Sequence, residues 1–155
     1  MKGDPKVLDR LNDLLSDELT AINQYMVHSE MCDNWKYERL HKAIEARAVT
    51  EMKHAEKLIA RILFLEGQPV VSNLKKINIG DNVETQFRND LNAEHDAVRA
   101  YNAAIRVAVD AGDNGSRDLL EDILENEEEH VDWLEAQLDQ ISQMGIQNYL
   151  VEQIA

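Results

Sequence analysis

The chain has 155 residues and a formal net charge of −14. That length suits one domain spanning 1–155 with a substantial core, and the acidity argues against nucleic acid or anionic lipid as a partner while favouring cations. Its one cysteine, Cys32, excludes an internal disulfide and fits a cytoplasmic protein; no secretory leader is apparent, and no apolar run reaches the roughly 18 residues of a membrane span.

The hydrophobic pattern is helical nearly throughout. Asp4-Pro5 reads as an N-cap and first helical residue. From there Leu8, Leu11, Leu15, Leu19, Ile22 and Met26 recur at three- and four-residue steps, the apolar stripe of a helix ending near Asp33-Asn34. A second helix is predicted from about Trp35 to Leu65, with Leu40, Ile44, Leu58, Ile62 and Leu65 on one face and Glu66-Gly67-Gln68-Pro69 as its stop. Residues 68–81 hold apolar residues without a helical period, and a connection of that length can cross a bundle from end to end. Asp81 with Glu84 resembles a capping box opening a third helix that carries Val83, Phe87, Leu91, Ala97, Val98, Tyr101 and Ile105. Ala111 to Ser116 reads as a turn. A fourth helix carries Leu119, Leu120, Ile123, Leu134, Leu138 and Ile141; Gly145 ends or bends it, and Ile146 to Ile154 reads as a short amphipathic fifth helix. The fold class is all-α: a four-helix bundle with a long crossover connection and a short C-terminal helix.

Two motifs stand out on this frame. Glu51-x-x-His54 and Glu127-x-x-His130 each follow a lone glutamate at the same distance: the interval from Glu18 to Glu51 equals that from Glu94 to Glu127. The chain thus repeats with one fixed shift, the step from Glu18 to Glu94, which also aligns Leu15 with Leu91, Ala21 with Ala97, Tyr25 with Tyr101, Glu45 with Glu121 and Leu58 with Leu134. A Glu from each of two helices and Glu-x-x-His from each of the other two is the ligand set of a carboxylate-bridged two-metal site inside a four-helix bundle. Residues i and i+3 share a helix face, so each Glu-x-x-His aims a carboxylate and an imidazole at one point.

A single such pair would be an ordinary solvated face. Position decides otherwise. Glu18 sits within the stripe of Leu11, Leu15 and Ile22, and Glu94 sits among Leu91 and Val98. A core glutamate is almost never left unpaired, because burying a bare charge is prohibitive. No Arg or Lys stands out at a matching core position to pair with them, so four Glu and two His call for cations. Mixed carboxylate and imidazole ligands suit iron or manganese, and two irons would balance the four negative charges; flexible carboxylates suit oxidation of Fe²⁺ by O₂ or H₂O₂. Tyr25, two turns beyond Glu18, is placed to donate a hydrogen bond to a ligand carboxylate, as is its repeat mate Tyr101; ordinary core packing is the alternative for both.

The stretches 1–7, Ala21 to Tyr25, Glu51 to Ile59, Ile62 to Gly67, Ser116 to Leu120, Glu128 to His130 and Asn148 to Leu150 resemble the bacterioferritins, the haem-containing bacterial ferritins, and the resemblance covers essentially the whole chain. It implies a ferritin-like bundle and iron storage: a ferroxidase centre on Glu18, Glu51, His54, Glu94, Glu127 and His130 with two irons per subunit, in a 24-subunit shell that stores ferric mineral. It also implies haem b, one per subunit dimer, held by Met52 and its symmetry copy in a pocket lined by Leu19, Asn23 and Met26. One residue past Glu51 is about 100° around the helix, so Met52 would face away from the metals; methionine ligation of haem is ordinary chemistry. The resemblance further implies packing of the fifth helix at four-fold axes, a pore with Asn34, Glu66 and Asp132, and a ferredoxin-type reductant for iron release. Some members carry a histidine and an acidic residue where this chain has Ala46 and Thr50, which argues against an auxiliary inner iron site and for iron passing through the dinuclear centre. Lys36 stands where a glycine is common. A rubrerythrin-like peroxidase normally adds a Cys-x-x-Cys iron domain, excluded by the single cysteine, and manganese catalase is disfavoured by length and motif. A haem-binding cage subunit with mainly an electron-transfer role is disfavoured by the complete ligand set, and a metal-free acidic bundle by Glu18 and Glu94 in their stripes.

Overall fold

The structure, a computed structural model describing residues 1–155, contains five helices and no strand: α1 (Pro5–Asn34), α2 (Glu38–Phe64), α3 (Val83–Asp110), α4 (Asn114–Met144) and α5 (Ile146–Val151). No helix is long and apolar enough to cross a membrane. Cross-helix contacts fix the directions. Glu18 faces His54 and Ser29 faces His41, so α1 and α2 are antiparallel. Tyr101 reaches Glu18 and Gln86 reaches Met31, so α1 and α3 are antiparallel too. Arg47 reaches Asn126 and Arg61 reaches Asp113, so α4 runs antiparallel to α2, and the order is up, down, down, up, a polarity that the crossover between α2 and α3 makes possible.

The crossover is extended and laid along α1 by side chains on one face of that helix. Asn12 Oδ1, Thr20 Oγ1, Gln24 Oε1 and His28 Nε2 accept from the backbone N–H groups of Val70, Lys75, Asn78 and Gly80 at 2.9, 2.9, 3.1 and 3.0 Å. A segment with no regular structure of its own thereby satisfies its backbone through side chains. Behind them Gln24 Nε2 donates to the buried Asp90 at 2.8 Å, and His28 Nδ1 lies 2.9 Å from the same oxygen. With Nε2 accepting from Gly80, the ring proton belongs on Nδ1, toward Asp90.

Several boundaries differ from the sequence reading. The second helix begins at Glu38 rather than Trp35 because Lys36 takes a left-handed conformation (φ 67°), one in which a side chain is strained, and Tyr37 N–H closes back on Cys32 O at 2.9 Å. At the end of α2 the left-handed residue is Glu66 (φ 62°), one position before the expected glycine. Gly67 is favoured by packing instead, since a Cβ there would stand 2.5 Å from Leu8 Cδ2 and push that side chain aside. The cap of α3 is Asn82, whose side chain accepts from Thr85 N–H at 2.9 Å, so the Asp81–Glu84 capping box is not made. α4 starts inside the expected turn, at Asn114, because Asp113 caps it by accepting from Ser116 N–H at 2.9 Å. α5 ends at Val151, three residues short of Ile154, and Gly145 (φ 81°) makes the corner before it.

Two apolar clusters fill the bundle, one around Leu11, Leu15, Leu58, Ile62, Tyr101 and Leu120, the other around Tyr25, Leu40, Ile44, Phe87, Leu134 and Tyr149. α5 closes the second by seating Tyr149 edge-on against Phe87, with its hydroxyl donating to Gln137 at 2.6 Å. The polar layer between the clusters is where the two motifs meet.

Candidate metal centre

Each helix of the bundle contributes. α1 brings Glu18, α2 Glu51 and His54, α3 Glu94, and α4 Glu127 and His130, and none is more than 8 % exposed. Both histidines present Nδ1. His54 Nδ1 faces Glu18 Oε2, Glu51 Oε2 and Glu127 Oε1 at 3.5, 3.4 and 3.2 Å, and His130 Nδ1 faces Glu94 Oε1 at 2.9 Å. The ligand atoms form two groups, each within 4.8 Å: Glu18, Glu51, His54 and Glu127 in one, Glu51, Glu94 and His130 in the other. Glu51 belongs to both, as a bridging carboxylate must.

Two tyrosines tie the ligand carboxylates across the repeat. Tyr101 on α3 donates to Glu18 Oε1 at 2.5 Å, and Tyr25 on α1 donates to Glu94 Oε1. Each tyrosine lies two helical turns after one glutamate and bonds the other, as the antiparallel pairing of α1 with α3 requires. Tyr25 is also edge-on to His130 (5.5 Å), which stacks on Trp133 (5.9 Å, 22°).

The electrostatics are those of an anionic cluster removed from water. Burial, then the charge of Glu51, pushes the Glu18 carboxyl well above the usual range; burial and the charges of Glu51, Glu94 and Glu18 do the same to Glu127. Burial also acts on Glu51, but hydrogen bonds to Glu18 and His54 and the charge of Arg47 outweigh it and hold that carboxyl low. Burial opposes a charged His54, yet hydrogen bonds to Glu127 and Glu51 raise it to about 9. Both tyrosines are pushed well up, first by burial, so they act as hydrogen-bond donors.

Six of the seven buried side-chain polar atoms without a well-directed hydrogen bond belong to this cluster: Glu18 Oε2, Arg47 Nε, Glu51 Oε1, His54 Nδ1, Glu94 Oε2 and Glu127 Oε1. Buried polar atoms short of a directed hydrogen bond are costly, and five of these six atoms belong to the candidate ligand set, Glu51 Oε1 having only an ion pair to Arg47. The residues present thus fit two cations. A cavity of about 160 Å³ opens the cluster toward α1, α3 and the crossover, past Asp17, Gln24, Lys75, Asn92 and Asp96. Lys75 is held there by Asp17 (2.6 Å) and Asp13 (3.0 Å).

One residue overturns an expectation. Arg47, on α2 one turn before Glu51, enters the carboxylate cluster: its Nη2 lies 2.5 Å from Glu51 Oε1, 2.8 Å from Glu127 Oε2 and 3.8 Å from Glu94 Oε2. The repeat hides it, because the shift that carries Glu18 onto Glu94 carries Arg47 onto Ile123. The i,i+4 step to Glu51 was the available signal.

The remaining candidate residues lie elsewhere. Met52 is 41 % exposed beside the fully enclosed Glu51, so it points out of the cluster; Leu19 and Asn23 are half-buried and Met26 is exposed. Asn34, Glu66 and Asp132 are exposed, with Asn34 at the far end of α1 from Glu66, so one subunit does not bring them together. Thr50 Oγ1 donates to the Ala46 carbonyl at 3.1 Å, and Ala46 offers no ligand.

A bundle with this polarity and this paired Glu and Glu-x-x-His centre is of the ferritin-like class, and the ferritin-like domain model matches residues 8–144. The chain is 42% identical over 149 residues to the bacterioferritin of Brucella melitensis (96% of this chain, 92% of the relative) and 42% identical to bacterioferritin BfrA of Mycobacterium tuberculosis (96% and 94%). The bacterioferritin of Rhodobacter capsulatus is 40% identical over the same length. The chain belongs to the bacterioferritins, a family of iron-storage proteins.

Proposed function

We propose that the chain is a ferroxidase subunit of a 24-subunit iron-storage cage. The observation that carries this reading is the set of buried Glu and His atoms without directed hydrogen bonds, arranged as two groups around Glu51. Fe²⁺ is the substrate. Glu18, His54 and Glu127 would hold one ion and Glu94 and His130 the second, with Glu51 shared. The ions supply the electrons: four Fe²⁺, from two fillings of the pair, with four protons from solvent would convert one O₂ to two waters, and two Fe²⁺ with two protons would do the same to one H₂O₂. The protein's part is placement. Tyr25 and Tyr101 fix the two terminal carboxylates, the apolar clusters above and below keep bulk water out, and the cavity beside α1 and α3 is the route by which small reactants arrive. Protons held by Glu18 and Glu127 leave as the cations bind, because the ligand form is the carboxylate. The oxidised iron passes into the cage interior, and a ferredoxin-type reductant would return it as Fe²⁺.

Stopped-flow absorbance after adding two Fe²⁺ per subunit to iron-free protein tests the reading. A fast oxidation phase that Glu18→Ala and Glu127→Ala remove is expected; no fast phase, or one unchanged in both variants, rejects it.

The haem proposal rests on Met52. An exposed thioether, with Met26, Val27 and Val49 among the exposed apolar residues, suits an axial ligand completed by the same residue of a second subunit. Haem b would sit there with Leu19, Asn23 and Met26 lining it. Met52→Leu should abolish the Soret band and leave iron oxidation intact; a retained bis-methionine spectrum rejects the assignment.

A further inference from the structure

The guanidinium of Arg47 faces a particular set of atoms. Its Nη2 contacts Glu51, Glu127 and Glu94 but not Glu18 or His54. Glu51 and Glu94, with His130, are the second ligand group, while Glu127 is grouped with Glu18 and His54 and turns its other oxygen, Oε2, to Arg47. His54 Nδ1 instead faces the other oxygens of Glu51 and Glu127, together with Glu18. The two positions of the centre therefore differ: one is bounded by an imidazole and three carboxylates, the other has a cationic side chain against its carboxylates.

We infer that Arg47 is a built-in counter-cation for the second metal position and is displaced when that position fills, so that the two metals bind in order. The inference rests on the dinuclear reading above. A guanidinium N–H and a metal ion use the same carboxylate lone pairs, so they compete for Glu51 Oε1 and Glu127 Oε2. Charge points the same way: four carboxylates balance two divalent ions without Arg47, and adding its charge would leave an excess positive charge in a dry site.

The structure also supplies a way out. Arg47 Nη1 donates to Asn126 Oδ1 at 3.0 Å, and Asn126 Nδ2 donates to the exposed Glu129 at 3.2 Å. The side chain is 10 % exposed, so its tip reaches the surface between α2 and α4. A guanidinium leaving Glu51 has an amide and then a solvated carboxylate within reach. The same side chain closes that side of the centre, opposite the cavity beside α1 and α3.

Co²⁺ titration of iron-free protein, followed by its ligand-field absorbance, tests this without any oxidation step. Wild-type protein should bind two Co²⁺ per subunit in two resolved steps. Arg47→Gln should tighten the second step by about tenfold or more, the size expected for removing a charge-assisted hydrogen-bonding competitor, and leave the first within about threefold. Arg47→Lys should keep the two steps, and Asn126→Ala, which removes the amide that receives the departing guanidinium, should weaken the second by a smaller factor. Thermal melts give an independent readout: Arg47→Gln should melt lower than wild type without metal and gain more on adding Co²⁺. A second step that is unchanged or weaker in Arg47→Gln overturns the inference while leaving the dinuclear reading intact. Wild-type protein that binds no Co²⁺ overturns both.

Discussion

Tyr101 donates its phenolic proton to Glu18 across the bundle, at 2.5 Å, and not to Glu94, which lies two turns before it on the same helix. Tyr25 makes the reciprocal bond to Glu94. The two half-bundles are thus tied to each other through their buried glutamates, and each phenol touches one half of the cluster. Tyr101→Phe should weaken Co²⁺ binding at the Glu18–His54 position, and Tyr25→Phe at the Glu94–His130 position, each by roughly tenfold to a hundredfold, the range for losing a partner that orients a metal ligand. Because the two act on different ligands, the double variant should show both losses at full size. Calorimetric titration resolves the steps; two single variants that both weaken the same step would contradict the crossed pairing.

Proton release should accompany metal binding. Burial raises Glu18 and Glu127 well above the carboxylate range, and His54 sits near 9 through its bonds to Glu127 and Glu51. Each binds metal only after losing its proton, so a raised value makes metal compete with H⁺, and affinity must fall as pH falls. About tenfold in affinity per pH unit is expected for every proton displaced. Calorimetry in two buffers of different ionisation enthalpy counts the protons directly. A binding enthalpy that does not depend on the buffer would show the ligands to be already ionised.

Both the bundle and the six buried Glu and His side chains that meet at its centre were legible in the sequence because they rest on period. Apolar stripes at three- and four-residue steps announce helices, and the interval from Glu18 to Glu51 recurs from Glu94 to Glu127. What was missed breaks period. Arg47 enters the core from the margin of a stripe, on a stem long enough to carry its charge inward, and its repeat mate is an isoleucine. Lys36 and Glu66 take left-handed backbone that local propensity assigns to glycine. The path of residues 68–81 is set by hydrogen bonds to side chains of α1, partners far away in sequence, which no local pattern encodes.

The start of α4 is a second place where distant partners decide a local boundary. Asp113 caps the helix through Ser116 and receives Arg61 Nη2 of α2 at 2.8 Å. Burial opposes its charge, but bonds from Ser116 and Arg61 outweigh that and lower its carboxyl. A lowered carboxyl contributes stability that is present above the ordinary carboxylate range and lost as pH falls through the folded value. Asp113→Ala should therefore cost about 1–2 kcal/mol in urea unfolding at neutral pH, the usual worth of a cap, and less at pH 3. An equal cost at both pH values would assign the effect to packing and not to the ionised cap.

Hydrogen exchange offers a residue-level check on the crossover. Most of residues 70–79 are exposed, yet the N–H groups of Val70, Lys75 and Asn78, with Gly80 beyond them, are bound by Asn12, Thr20, Gln24 and His28. Exchange should alternate accordingly, with these four amides slowed and neighbours such as Val71, Ser72 and Asn73 near the rate of open chain. Each latch should also be separable. Asn12→Ala should speed Val70 and leave Gly80 unchanged. Gln24→Ala should speed Asn78 and, by leaving the buried Asp90 short of a donor, lower stability by about 1–3 kcal/mol, the penalty for an unsatisfied buried acceptor. Uniformly fast exchange along 70–80 in the intact protein would mean that the segment is not laid down on α1 at all, and the cavity wall it forms beside Lys75 and Asn78 would then be missing in solution.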